Sequence, residues 1–144
     1  KEVEELISEL QKTRKNIWWI KEMAPHDELT SLLTNADLFL CPSIYEPLGI
    51  VNLEAMGCET AVLASRVGGI PEVVADGETG RLVNYDSSNS AKFESDFTNQ
   101  IEDLMSKPDL LVTMGKAGRI RAEKHFGWDA VAKQTIELYN SLLK

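Results

Sequence analysis

Two short runs, DLFLC at 37–41 and TAVLAS at 60–65, are apolar without alternation. A strand with one wet face alternates apolar and polar residues, so an unbroken apolar run belongs to a strand covered on both faces. Helical periodicity surrounds these runs. Val3, Leu6, Ile7 and Leu10 form one stripe on a first helix that should end near Arg14. Pro25 opens HDELTSLLTNA, with Asp27 and Glu28 at the positive end and Leu29, Leu32, Leu33 and Ala36 facing inward. Gly49 to Gly57 reads as a helix between the two strands. Strands of this kind, alternating with helices, restrict the chain to an α/β fold with a parallel sheet and helices on both faces.

Other segments complete the outline. The aromatic, β-branched NIWWI at 16–20 reads as a further strand. GGIPEVV gives a glycine turn and a short helix, and DGETG leads into a strand at 81–83. The polar stretch NYDSSNS at 84–90 reads as a loop, and residues 90–106, 108–124 and 127–143 as helices divided by Pro108 and Gly127. The whole is one domain with its strands early and a helical tail late.

Composition excludes several classes of function. With 144 residues, 43% apolar and 26% charged, the chain can bury a core. A formal net charge of −8 with scattered basic residues argues against nucleic acid or an anionic membrane surface as partner. Cys41 and Cys58 form no CxxC pair and read as thiols in a reducing compartment, and no apolar run of membrane-spanning length is present. The sequence thus points to a soluble, cytoplasmic protein. His26 and His125 have no companions at metal-ligand or triad spacing, so no metal or cofactor is expected.

Against that background the stretch CPSIYEPLGIVNLEAMGCETAV is unusual, because it sets Glu46 and Glu54 in apolar surroundings. Pro47 forces Glu46 out of helical geometry, whereas Glu54 falls on the following helix. Between them lie the backbone N–H groups of Leu48, Gly49, Ile50 and Val51, unpaired at a helix N-terminus and suited to a phosphate. Gly49 lets a ligand approach the main chain. Carboxylate, anion site, carboxylate is the order that matches the hexose, pyrophosphate and ribose of a nucleotide sugar, since carboxylates accept hydroxyl hydrogens strongly. The plainer alternative makes Glu46 a solvated loop residue and Glu54 a surface position. Placement favours the first reading, because ligands of open α/β sheets bind beyond the carboxyl ends of the strands.

The run from Glu46 through Pro47, Leu48 and Gly49 to Glu54 resembles the E-x7-E motif of retaining GT-B glycosyltransferases of family 4 type, and ASRVGGIPEVVADGETGRLV is similar to the segment that follows it there. The likeness runs from WIKEMAPHDELTSLLTNADLFLCPS to FGWDAVAKQTIELYNSLLK, nearest in character to bacterial glycogen synthases of the actinobacterial type. It implies a Rossmann-like sheet, part of a GT-B C-terminal domain with a helical C-terminal tail. Residues 1–144 would be a fragment of the nucleotide-sugar-binding (donor) domain, with the acceptor domain and a basic Arg/Lys pair lying upstream. Glu46 would be the catalytic residue, touching the donor glucose close to its anomeric carbon. Leu48, Gly49, Ile50 and Val51 would hold the pyrophosphate, and Glu54 the ribose. The implied reaction is retaining transfer of glucose from ADP-glucose or UDP-glucose to an α-glucan, as in glycogen synthesis. No DxD motif is visible, in keeping with a metal-free site. The implied partners are the nucleotide sugar, the α-glucan and the N-terminal domain, and the chain alone is expected to be inactive. The alternatives are a stand-alone nucleotide or carbohydrate binding module, or a family 4 transferase acting on another acceptor.

Tyr45, Gly68 and Gly69 are candidates for the donor pocket; the plainer alternative gives Tyr45 a packing role and the glycines only a turn. Arg66 reads as a surface residue, and Trp18, Trp19 and Trp128 as core or interdomain anchors. Ile136, Leu138, Leu142 and Leu143 are expected to be exposed on the last helix.

Overall fold

The computed structural model describes residues 2–143. Strand β2, Ala61–Ser65, is buried along its whole length and pairs in parallel with β1, Leu38–Cys41, on one side and β3, Gly80–Val83, on the other. Phe39 lies opposite Val62, and Leu63 opposite Arg81. Because strand side chains alternate between faces, β2 feeds two cores. Val62 and Ala64 join Leu33, Cys41, Ala55, Met56, Ile70, Val73 and Val74 on one face. Ala61 and Leu63 join Val83, Phe93, Phe97, Leu104, Leu111 and Met114 on the other. Complete burial of Met56, Leu63, Ile70 and Leu104 stabilises by about 1.5–3 kcal/mol per side chain.

The helices fall close to the expected positions. Helix α1 spans Glu2–Thr13, α2 His26–Thr34, α3 Ile50–Gly57 and α4 Ile70–Val73. After β3 come α5, Ser90–Met105, α6, Pro108–Arg121, and α7, Trp128–Leu142. Helix α5 starts where the Asn89 side chain accepts the Lys92 N–H at 3.2 Å, and α6 where proline occupies its first turn. This is the α/β arrangement of the sequence reading, a parallel sheet with helices on both faces.

Three expectations need correction. NIWWI is not a strand, because residues 17–20 find no neighbouring strand to take up their backbone groups. The helix read through residue 124 stops at Arg121 and continues as a π-helical turn, Ala122–Phe126. There the Arg121 guanidinium reaches back to α4, with Nε donating to the Val73 carbonyl at 2.7 Å and Nη2 to that of Glu72 at 2.8 Å. Leu32, expected to face inward on α2, is 50% exposed. Trp18 and Trp128 are exposed and belong to neither core, which leaves the interdomain alternative for them. Ile136, Leu138, Leu142 and Leu143 are exposed as expected.

Candidate functional site

The loop from Pro42 to Gly49 leaves the carboxyl end of β1 and enters α3, and it is fixed from the next strand. The Ser65 hydroxyl, at the end of β2, donates to the Ser43 carbonyl, with the Cys41 carbonyl at 3.4 Å. Beyond β2 the chain turns at Gly68 and Gly69, and the Gly69 N–H donates to the Glu46 carbonyl at 3.0 Å. A Cβ at Gly68, where φ is +49°, would lie 1.9 Å from that carbonyl oxygen. At Gly69 it would lie 2.3 Å from the Pro47 carbonyl oxygen. The two glycines are therefore needed for more than a turn: they let the loop after β2 rest on the main chain that carries Glu46.

Gly49 caps α3 in the left-handed conformation, φ +95°, which glycine adopts without a Cβ penalty. The Glu46 carboxylate folds back, and its Oε1 accepts the Gly49 N–H at 3.2 Å. Among the described residues no acceptor takes the N–H of Leu48, Ile50 or Val51. The first turn of α3 carries no acidic side chain of its own, and the anion at its positive end is the Glu46 carboxylate on the Gly49 N–H. Glu54 lies in the second turn of the same helix and is half-buried, as is Glu46. Tyr45, in the same loop, is 80% exposed. Glu46, Gly49, Gly68 and Gly69 therefore come together beyond the carboxyl ends of β1 and β2, with Tyr45 in the same loop and Glu54 on the helix that follows it. The cavity of about 430 Å³ lined by Thr30, Cys58, Lys116 and Arg119 is elsewhere, where α2 and α3 end ahead of these strands.

Arg66 pairs with Asp76, whose other oxygen accepts the Leu82 N–H at 3.0 Å, so its charge is engaged in the turn before β3. Among the described residues no cluster of His, Cys, Asp and Glu could hold a metal ion. None of their helices is long and apolar enough to cross a membrane.

Two residues of the site escaped the sequence reading. Ser65, which clamps the loop, shows only as the polar end of an apolar run. Asn52 is completely buried in the first turn of α3, and neither its Nδ2 nor its Oδ1 has a partner. The signal available was one amide within the apolar run IVNL.

Residues 1–121 match the family model of the glycosyl transferases group 1. The chain belongs to this family. It is 46% identical over 141 residues to the alpha-maltose-1-phosphate synthase of Mycolicibacterium smegmatis, covering 98% of this chain and 36% of the relative. The sucrose-phosphate synthase of Thermosynechococcus elongatus superposes with a TM-score of 0.78 at 34% identity, covering 98% of this chain and 33% of that one. HepE of Anabaena, crystallised with UDP-glucose, superposes with a TM-score of 0.71 at 25% identity, over 97% of this chain and 36% of that one. The chain thus spans about a third of the length of these relatives. Its fold neighbours are the C-terminal domains of GT-B glycosyltransferases, so the Rossmann-like α/β architecture inferred from the sequence holds.

Proposed function

We propose that residues 1–144 form the donor half of a retaining hexosyltransferase, binding ADP-glucose or UDP-glucose and transferring glucose to an α-glucan as a glycogen synthase does. The observation that carries this reading is the set of unpaired N–H groups of Leu48, Ile50 and Val51, flanked by Glu46 on one side and Glu54 on the other. A pyrophosphate accepts from those N–H groups at the positive end of α3. Glu54, a turn further on, takes the ribose hydroxyls. Glu46, with Tyr45 next to it and Gly68 and Gly69 behind it, faces the hexose. The bound UDP-glucose of the HepE structure supports a ligand of this class.

Transfer with retention then asks little covalent chemistry of this chain. Glu46 stabilises positive charge developing at the anomeric carbon, and the leaving phosphate takes the proton of the incoming hydroxyl on the same face. The acceptor domain and further basic groups for the pyrophosphate come from outside residues 1–144 in this reading, so these residues alone do not elongate glucan. The cytoplasm is the compartment that suits the two free thiols, Cys41 and Cys58.

A second reading changes only the acceptor. The relative that is 46% identical is named for making alpha-maltose-1-phosphate. That favours a short phosphorylated glucoside over a polymer as the product, with the donor site unaltered.

Calorimetric titration with ADP-glucose, UDP-glucose and glucose tests the proposal. It predicts saturable binding of at least one nucleotide sugar, none of free glucose, and a loss of about tenfold or more in Glu54→Ala, the effect of one hydrogen bond to a charged group. Absence of heat at millimolar nucleotide sugar contradicts it.

A further inference from the structure

Asn52 carries the only buried side-chain amide without a partner among the described residues, and it lies directly beneath the proposed donor site. A buried amide without partners destabilises the fold, and an apolar side chain of similar shape would remove that penalty. Its surroundings explain what the amide is for. A Cβ placed on Gly49 would sit 2.6 Å from Asn52 Nδ2, 3.3 Å from Ile70 Cγ1 and 3.6 Å from Glu46 Cγ, so the amide and the glutamate border the same small space. The absent Cβ of Gly49 is the gap between them.

The second observation is the hydrogen bond from the Gly49 N–H to Glu46 Oε1 at 3.2 Å. That N–H belongs to the set a phosphate would use. One N–H cannot serve a carboxylate and a phosphate equally, and the two anions repel. Donor binding therefore displaces the Glu46 carboxylate, which must find another hydrogen-bond donor.

We infer that Asn52 is a positioning residue for Glu46: when a nucleotide sugar takes the Gly49 N–H, the carboxylate crosses the gap left by Gly49 and accepts from Asn52 Nδ2. This rests on the donor site proposed above and deepens it. Asn52 touches no substrate; it fixes where Glu46 comes to rest, and so how Glu46 meets the hexose.

A double-mutant cycle on the purified protein tests this, with ADP-glucose and UDP-glucose as probes. Asn52→Leu should melt at or above the wild-type temperature and bind the nucleotide sugar about tenfold more weakly, the loss of one charge-assisted hydrogen bond. In a Glu46→Ala background the same change should have no further effect on affinity. Equal losses from Asn52→Leu in both backgrounds would overturn the inference while leaving the donor site intact. Failure of the wild type to bind either probe would remove the donor site and the inference together. The Asn52 side-chain NH₂ resonances give a readout without any variant at Asn52. They should shift on addition of the nucleotide sugar in the wild type and stay in place in Glu46→Ala; stationary resonances in a wild type that binds would overturn the inference.

Discussion

The Gly69 N–H donates to the carbonyl oxygen of Glu46 at 3.0 Å, joining the loops that follow β2 and β1. The position of the first glutamate is thereby set by main chain resting on main chain. Side-chain packing has little part in it: Tyr45, Pro47 and Leu48 around it are all exposed. An exposed loop held in this way keeps its main chain in place and leaves the Glu46 side chain room to move, which suits a site that must admit a large polar ligand.

Gly68→Ala should therefore damage both stability and the site. Its new Cβ would meet the Glu46 carbonyl at 1.9 Å on a residue with φ of +49°, a strain that we place at about 1–3 kcal/mol. Gly57→Ala is the control, since nothing lies within 4 Å of a Cβ there, and it should be neutral or stabilising by up to about 1 kcal/mol. Urea unfolding of the two variants decides. Equal midpoints would show that the contact between the loops is not required.

Arg121 acts on the same turn from behind. Its hydrogen bonds to the carbonyls of Glu72 and Val73 close the end of α4, the helix that begins directly after Gly69, and its guanidinium lies 5.9 Å from the Phe126 ring centroid. Arg121→Met keeps the aliphatic contact and strands these carbonyls, costing about 1–3 kcal/mol. Hydrogen exchange should quicken at Gly69 and through α4 before it does in β2. Uniform quickening over the whole chain would contradict a local clamp.

Much of this arrangement could be read from the sequence, and the exceptions share a cause. The runs DLFLC and TAVLAS gave β1 and β2, because a strand buried on both faces needs apolar residues throughout. Glu46 off the helix and Glu54 on it followed from Pro47 and from the apolar helical pattern. NIWWI misled because strand propensity has no effect without a neighbour to pair with. Gly68 and Gly69 announced a turn, but not that their partners would be Glu46 and Pro47, more than twenty positions earlier. Asn52 gave no warning, since sequence periodicity marks apolar faces and does not say whether a polar residue among them finds a partner.

The acid limb of stability should depend on Asp103. Hydrogen bonds from Lys107 and from Arg81 hold its carboxyl below the ordinary value of 3.8. A group with a depressed folded-state pKa stabilises above its unfolded value and loses that contribution as pH falls through the folded one. Asp103→Asn should lower the melting temperature at neutral pH, and the difference from wild type should shrink as pH drops below about 4. A difference that stays constant from pH 7 to pH 2 would show that these ion pairs contribute nothing through charge. Asp86, lowered by its hydrogen bonds with the Ser88 hydroxyl and backbone N–H, belongs to the same limb.

The central claim is that a nucleotide sugar lies across the start of α3, and an amide NMR titration tests it most directly. Addition of ADP-glucose or UDP-glucose should shift the amides of Leu48, Gly49, Ile50, Val51 and Glu54 ahead of all others. Glu54→Ala should suppress those shifts, and free glucose should cause none. Shifts centred instead on Thr30, Cys58, Lys116 and Arg119, the cavity ahead of β1 and β2, or no shifts at millimolar ligand, would contradict the account.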